Sequence, residues 1–212
     1  MDDNNGIKAV FFDLGKVLLS FNHANIVERL LSNTDADGDT KTSLFTFLFD
    51  ARDGLCNLYD EGLISSPDFY REINSRFSLN ASYGDFTGLW NDIFTENKDV
   101  SALMDEVRKR RPVYLLSNVN ELHWEFCRAK FDALKRMDGW VLSYEIKSKK
   151  PKAAIYRAAL EMAGAGPGES VFIDDLAENT EAAEKNGIKG ITFMGAADLR
   201  ERLLRAGLIQ KG

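Results

Sequence analysis

From about Ser101 onward the chain alternates between helical periods and short apolar runs. Helical spacing covers Ser101 to Arg111, Glu121 to Phe131, Ala153 to Ala163, Glu178 to Asn186 and Ala197 to Ala206; apolar runs lie between them at Val113 to Leu116, Trp140 to Ser143, Val171 to Ile173 and Gly190 to Phe193. Strands joined by helices are parallel, and a parallel sheet needs helices on both faces to bury it. One further apolar run, Lys8 to Phe12, precedes this region. Between them, residues 23 to 100 show helical spacing alone: His23 to Leu31, Thr42 to Ala51, Pro67 to Phe77 and Tyr83 to Phe94, with Ser66 as the cap of the third helix and Pro67 at its first position. Nothing in that stretch reads as a strand. The pattern predicts an α/β protein: a Rossmann-like, three-layer parallel-sheet core over 7–20 and 101–212, with an α-helical cap over 21–100 inserted after the first strand.

At 212 residues, with 44% hydrophobic residues, the chain is long enough for one such core plus an inserted subdomain. The net charge of −6 comes from 33 acidic and 27 basic residues spread along the sequence, which argues against nucleic acid as a ligand. Cys56 and Cys127 are the only cysteines and have no metal-binding spacing, so both are expected to be reduced. No apolar run approaches the roughly 20 residues of a membrane span, and the polar start Met1 to Asn5 does not resemble a signal peptide. The expectation is a cytoplasmic protein with no membrane partner.

Each strand of the predicted sheet ends on a polar group, and ligands of open α/β sheets bind at that edge. The first runs into Asp13, Leu14 and Gly15; on its own this is also a common turn. Val113 to Leu116 runs into Ser117 and Asn118 before a helix, where a hydroxyl, a carboxamide and free N–H groups favour an anion, although a serine helix cap has the same appearance. Val171 to Ile173 runs into Asp174 and Asp175, with Glu178 and Asn179 close behind. Adjacent carboxylates repel unless a cation lies between them, and an oxygen-rich set suits magnesium better than zinc. Lys150 is either one of four lysines on a solvated loop, with Lys147, Lys149 and Lys152, or a cation fixed in place by Pro151 that offsets those acids and a bound phosphate.

Asp13 with Gly15, Ser117 with Asn118, Lys150 with Pro151, and Asp174 with Asp175 resemble, in order, the four motifs of the haloacid dehalogenase superfamily, and the resemblance covers almost the entire chain. Phe12 to Val17, Leu116 to Asn118 with His123, Lys150 to Tyr156, and Phe172 to Asp175 with Asn179 are similar to bacterial phosphatases related to glucose-1-phosphate phosphatase. The resemblance implies a magnesium-dependent phosphatase of small, sugar-like phosphate esters. In it Asp13 attacks phosphorus to give an aspartyl-phosphate; Asp13, the Gly15 carbonyl and Asp175 hold Mg2+; Ser117 and the Asn118 N–H hold phosphoryl oxygens; and Lys150 neutralises charge. Asp174 would orient Lys150, with an exchange of roles between Asp174 and Asp175 left open, and Asn179 would hydrogen-bond a metal-bound water. The implied partner is a small phosphorylated metabolite. A 2-haloacid dehalogenase is a sister reading, and a phosphate- or partner-binding regulatory protein with little turnover is another.

One position departs from the pattern. Most phosphatases of this superfamily carry a second aspartate two residues after the nucleophile, as proton donor and then base, and this chain has Gly15. Losing a general acid forfeits ~10²–10⁴ in rate. Lys16, His23 or an acidic cap residue such as Glu61 are candidate substitutes. A glycine here also fits a backbone with positive φ or a cap packed tightly over it. His23 and His123 are too scattered for a zinc site or a serine triad and read as polar surface or helix residues. Gly164 to Gly168 lacks the Gly-Lys-Ser/Thr ending of a P-loop and reads as a turn.

Overall fold

The computed structural model describes residues 6–210; Met1 to Asn5 lie outside them. In chain order the elements are β1 (Ala9–Phe12), β2 (Leu19–Ser20), α1 (His23–Leu30), α2 (Gly38–Phe49), α3 (Leu55–Asp60), α4 (Ser66–Phe77), α5 (Tyr83–Asn91), β3 (Thr95–Glu96), α6 (Lys98–Arg108) and β4 (Val113–Ser117). They continue with α7 (Glu121–Lys130), α8 (Asp132–Lys135), β5 (Gly139–Leu142), α9 (Ser143–Ile146), α10 (Ala153–Ala163), β6 (Ser170–Asp174), α11 (Ala177–Lys185), β7 (Lys189–Thr192) and α12 (Ala196–Arg205).

Five strands form one sheet in the order β5-β4-β1-β6-β7, each pair parallel. β1 lies at its centre because all four of its residues are apolar and fully buried, as a strand covered on both faces must be. Its side chains alternate between the two covering layers. Val10 and Phe12 join the core with Leu103, Val113 and Leu199, while Ala9 and Phe11 join Ile155, Tyr156 and Phe172 on the other face. Phe12 pairs with Leu115 on one side and Ile173 on the other, and this register brings Asp13, Ser117 and Asp174 to the same edge.

Helices α1 to α5 lie between β2 and β3 and carry their own core, including Ile26, Leu44, Leu48, Phe69, Phe86 and Trp90. Where the chain enters and leaves this helical insertion, β2 and β3 run antiparallel, with Leu19 opposite Glu96 and Ser20 opposite Thr95. The stretch 23–100 therefore does contain a strand. Thr95–Glu96 has only two residues and pairs with a distant segment, so it has no period of its own to read. The cap of α4 is Ser65 and not Ser66; its hydroxyl accepts the N–H of Asp68, and Ser66 instead faces inward to the Tyr59 hydroxyl at 2.8 Å. α5 stops at Asn91, and Ile93 and Phe94 serve the connection to β3. The short helices α3, α8 and α9 are also absent from the sequence pattern, since four to six residues do not display a helical period. Among the described residues no helix is long and apolar enough to cross a membrane.

Candidate active site

Three strand ends converge on Lys150. Its Nζ donates to Asp13 Oδ1 at 2.8 Å, to Asp174 Oδ2 at 2.6 Å and to the Leu116 carbonyl at 3.1 Å. The lysine side chain is 2% exposed, so the solvated-loop alternative is excluded. Burial pulls its ammonium down, and the Asp13 and Asp174 charges more than reverse this, holding it above its ordinary range. Burial pushes the Asp13 carboxyl up to about 6; Lys150 opposes the rise and Asp174 adds to it. Asp174 is fully enclosed, and its Oδ1 accepts the Leu176 N–H and the Asn179 amide, both at 2.9 Å. The Asn179 side chain thus holds Asp174. Asp175 is different: its side chain is 19% exposed, Lys16 Nζ lies 4.0 Å away, and burial followed by the Asp174 charge raises its carboxyl above the usual range.

Asp13, Asp174 and Asp175 each offer a carboxylate oxygen, all within 4.8 Å of one another, and form the acidic group that could hold a metal ion among the described residues. Oxygen donors without histidine or thiolate suit a hard divalent cation.

On the β4 side, Ser117 is buried at the strand end with only a long contact, 3.4 Å, to the Asn118 carbonyl. The Asn118 carboxamide does not face the edge as the sequence pattern suggests. It clamps the Lys150 backbone, accepting its N–H at 2.7 Å and donating to its carbonyl at 3.0 Å. Nor does a helix begin at once: α7 is capped by Asn120, whose side chain accepts the His123 N–H. The serine hydroxyl and loop N–H groups remain as anion donors. The other lysines of the run reach the insertion, Lys147 to the Gly62 carbonyl, Lys149 to the Asn57 amide oxygen and Lys152 to Glu61.

Gly15 does not have positive φ; Lys16, at φ 56°, is the left-handed residue of this turn. What requires glycine is proximity: a Cβ on residue 15 would sit 2.9 Å from Cε1 of Phe21. The Phe21 ring packs on His23 and, edge to face, on Phe94. It occupies the space that a side chain at position 15 would enter. Beyond it lies a cavity of about 220 Å³ between sheet edge and insertion, lined by Gly15, Ser117 and Asn118 below and by His23, Phe49, Asp50, Asn57, Asp60 and Trp90 above. Of the candidate substitutes for the missing acid, His23 lines this cavity, stacked on Phe49 at 4.1 Å, while Glu61 is paired with Lys152 and does not line it. Lys16 faces Asp175. His123 is not a surface residue. It stacks on Trp90, its ring nitrogens meet Asn120 and the Trp90 carbonyl, and burial pushes its pKa down to about 3. Asp60, which no motif marks, reaches the cavity from the end of α3.

Residues 7–187 match the model of the haloacid dehalogenase-like hydrolases. The chain belongs to that family. Among similar proteins of known activity, this haloacid dehalogenase-like hydrolase is 25% identical over 206 residues to a D-ribitol-5-phosphate phosphatase of Bacteroides thetaiotaomicron, covering 93% of this chain and 97% of that one. It is 24% identical over 190 residues to a sesquiterpene phosphatase of Aspergillus oryzae, covering 87% and 88%. A solved enzyme of the same family from Bacteroides thetaiotaomicron, in complex with magnesium and inorganic phosphate, superposes with a TM-score of 0.74 and 28% identity, over 88% of this chain and 93% of that one. The five-stranded parallel sheet with its helical layers is the fold of this hydrolase family.

Proposed function

We propose that this hydrolase is a magnesium-dependent phosphatase of small sugar or polyol phosphates, working through an aspartyl-phosphate on Asp13. The observation that carries the reading is the shared Lys150 ammonium between Asp13 and Asp174 at the sheet edge. A carboxylate approaches an anionic phosphate only where positive charge cancels the repulsion. In this reading Asp13 Oδ2 attacks phosphorus while Oδ1 stays held by Lys150. The Ser117 hydroxyl and the Asn118 N–H bind phosphoryl oxygens, and Asn118 keeps Lys150 in position through its backbone clamp. Asp13, Asp175 and the Gly15 carbonyl hold Mg2+, which supplies further charge against that repulsion. Asp174, with its oxygens bonded to Lys150, Leu176 and Asn179, orients the lysine.

The cavity supports the substrate class. Asp50, Asn57, Asp60 and Asn120 offer acceptors and donors to hydroxyl groups, the His23, Phe49 and Trp90 rings offer apolar faces, and its volume of about 220 Å³ lies below the ~300–1,000 Å³ of drug-sized pockets. The relative acting on ribitol 5-phosphate has a substrate of that kind. The test is steady-state phosphate release from p-nitrophenyl phosphate and from a panel of sugar and polyol phosphates with added Mg2+. Turnover that stops on chelation and favours five- and six-carbon esters is expected. Gly15 gives a second reading its one observation: tight phosphate binding without turnover on any ester would assign the chain to the regulatory binders instead.

A further inference from the structure

With Gly15 under the Phe21 ring, no carboxyl among the described residues lines the strand side of the cavity to protonate a departing oxygen. Among the described residues five titratable groups line the cavity from the insertion and α7, and one of them, the Cys56 thiol, is pushed well above its usual range by burial. His123 has both ring nitrogens engaged. Asp50 accepts the N–H groups of Arg52 and Asp53 at 2.9 Å, which holds its carboxyl low and charged. The inner face of the His23 ring lies flat on Phe49, and burial holds its pKa below the usual value.

Asp60 is built differently. The Ser143 hydroxyl donates to its backbone carbonyl and also contacts the loop after β4, receiving the Val119 N–H at 3.0 Å. Its Oδ1 accepts the Asn120 amide at 2.9 Å, and its second oxygen has no hydrogen-bond partner among the described residues. The carboxyl is therefore anchored, with one oxygen left over, to the loop that carries Ser117 and Asn118. Burial pushes it up to about 6, against the Asn120 amide and the Lys149 charge, and its own charge in turn raises the Cys56 thiol.

On the phosphatase reading above, we propose that Asp60 is the general acid and base of this enzyme, replacing from the insertion the carboxylate that Gly15 lacks. As Asp13 forms its bond to phosphorus, the bond from phosphorus to the ester oxygen breaks, and that oxygen takes the Asp60 proton and leaves as an alcohol. Water then attacks the phosphorus and gives a proton to the Asp60 carboxylate. The bond from phosphorus to Asp13 breaks, and phosphate departs.

The experiment compares wild type, Asp60→Asn and His23→Gln on p-nitrophenyl phosphate, whose leaving oxygen needs no proton, and on an alkyl ester such as glycerol phosphate, with Mg2+ and with melting curves. Asp60→Asn is isosteric and can still accept from Asn120. In kcat/KM, which reads transfer to Asp13 and not the hydrolysis that both esters share, it is expected to lose roughly 10²–10⁴ on the alkyl ester and at least tenfold less on the aryl ester. Should it fail to fold, Asp60→Glu, which displaces the carboxyl by one methylene, is expected to show the same selective loss at smaller size. Equal losses in kcat/KM on both esters, no loss on either, or a selective loss in His23→Gln alone would overturn the proposal. Absence of wild-type turnover even on the aryl ester would refute the phosphatase reading itself and take this proposal with it.

Discussion

Lys150→Met is the most informative single change, because it removes the cation and keeps the length of the side chain. In the metal-free protein it leaves Asp13 and Asp174, both bonded to the same ammonium at 2.8 and 2.6 Å, facing each other without a counter-charge. Breaking a buried pair by removing one partner costs about 3–5 kcal/mol. For a chain of this size each kcal/mol corresponds to ~2–4 °C in Tm, so a fall of roughly 6–20 °C is expected near pH 8. The pH dependence follows from Asp13. Its folded pKa is already raised by burial to about 6, so the folded state binds more protons than the unfolded one between the ordinary carboxylate range and that value, and its stability declines as pH rises through the window. Losing Lys150 removes the influence that holds Asp13 down and widens that window upward. The penalty should therefore be smaller near pH 5 than near pH 8. Urea or thermal unfolding in chelator at the two pH values measures it. A loss under about 1 kcal/mol, or one equal at both pH values, would refute the electrostatic account of this site.

Asp13→Asn should abolish turnover of p-nitrophenyl phosphate, by at least ~10³, with Tm within a few degrees of wild type, since the amide is isosteric; activity within tenfold of wild type would remove Asp13 from the nucleophile role. Asp175→Ala should weaken Mg2+ binding in calorimetry more than Asp174→Ala, whereas Asp174→Ala should cost more in Tm because that carboxylate bonds Lys150, Leu176 and Asn179; the reverse order of affinities would exchange their assignments. Gly15→Asp alone should lower turnover on aryl and alkyl phosphates alike, because its Cβ meets the Phe21 ring at 2.9 Å, and Gly15→Asp with Phe21→Ala should recover activity and favour alkyl esters; a gain in the single variant would show that the ring yields.

Much of the sheet was legible because a fully buried parallel strand is a run of apolar residues ending on a polar one, and β1, β4 and β6 follow that rule to within a residue. Asp13, Ser117 and Asp174 at their ends were legible for the same reason, while Lys150, which follows no strand, was marked only by Pro151 and the run of motifs. What the sequence hid depends on contacts made across distance. The amide of Asn118 looked like a ligand donor and is bound to the Lys150 backbone. Gly15 left a left-handed turn and close packing both open, and only the structure chooses the packing and names the ring, six residues on. Glu61 stood out as an acid of the insertion, yet its neighbour Asp60 faces the cavity, because α3 is too short for its faces to be read from spacing.

The adjacent entry and exit of the helical insertion have an evolutionary consequence. Leu19–Ser20 and Thr95–Glu96 lie side by side, so the two ends of a segment of some seventy residues leave the sheet as near neighbours. A segment with closely spaced ends and its own apolar core can lengthen, shrink or be exchanged without parting any strand of the sheet beneath it. Lineages carrying this sheet are thus free to try new leaving groups by rewriting one contiguous stretch, while Asp13, Lys150 and Asp174 remain under the constraint of holding three strand ends together.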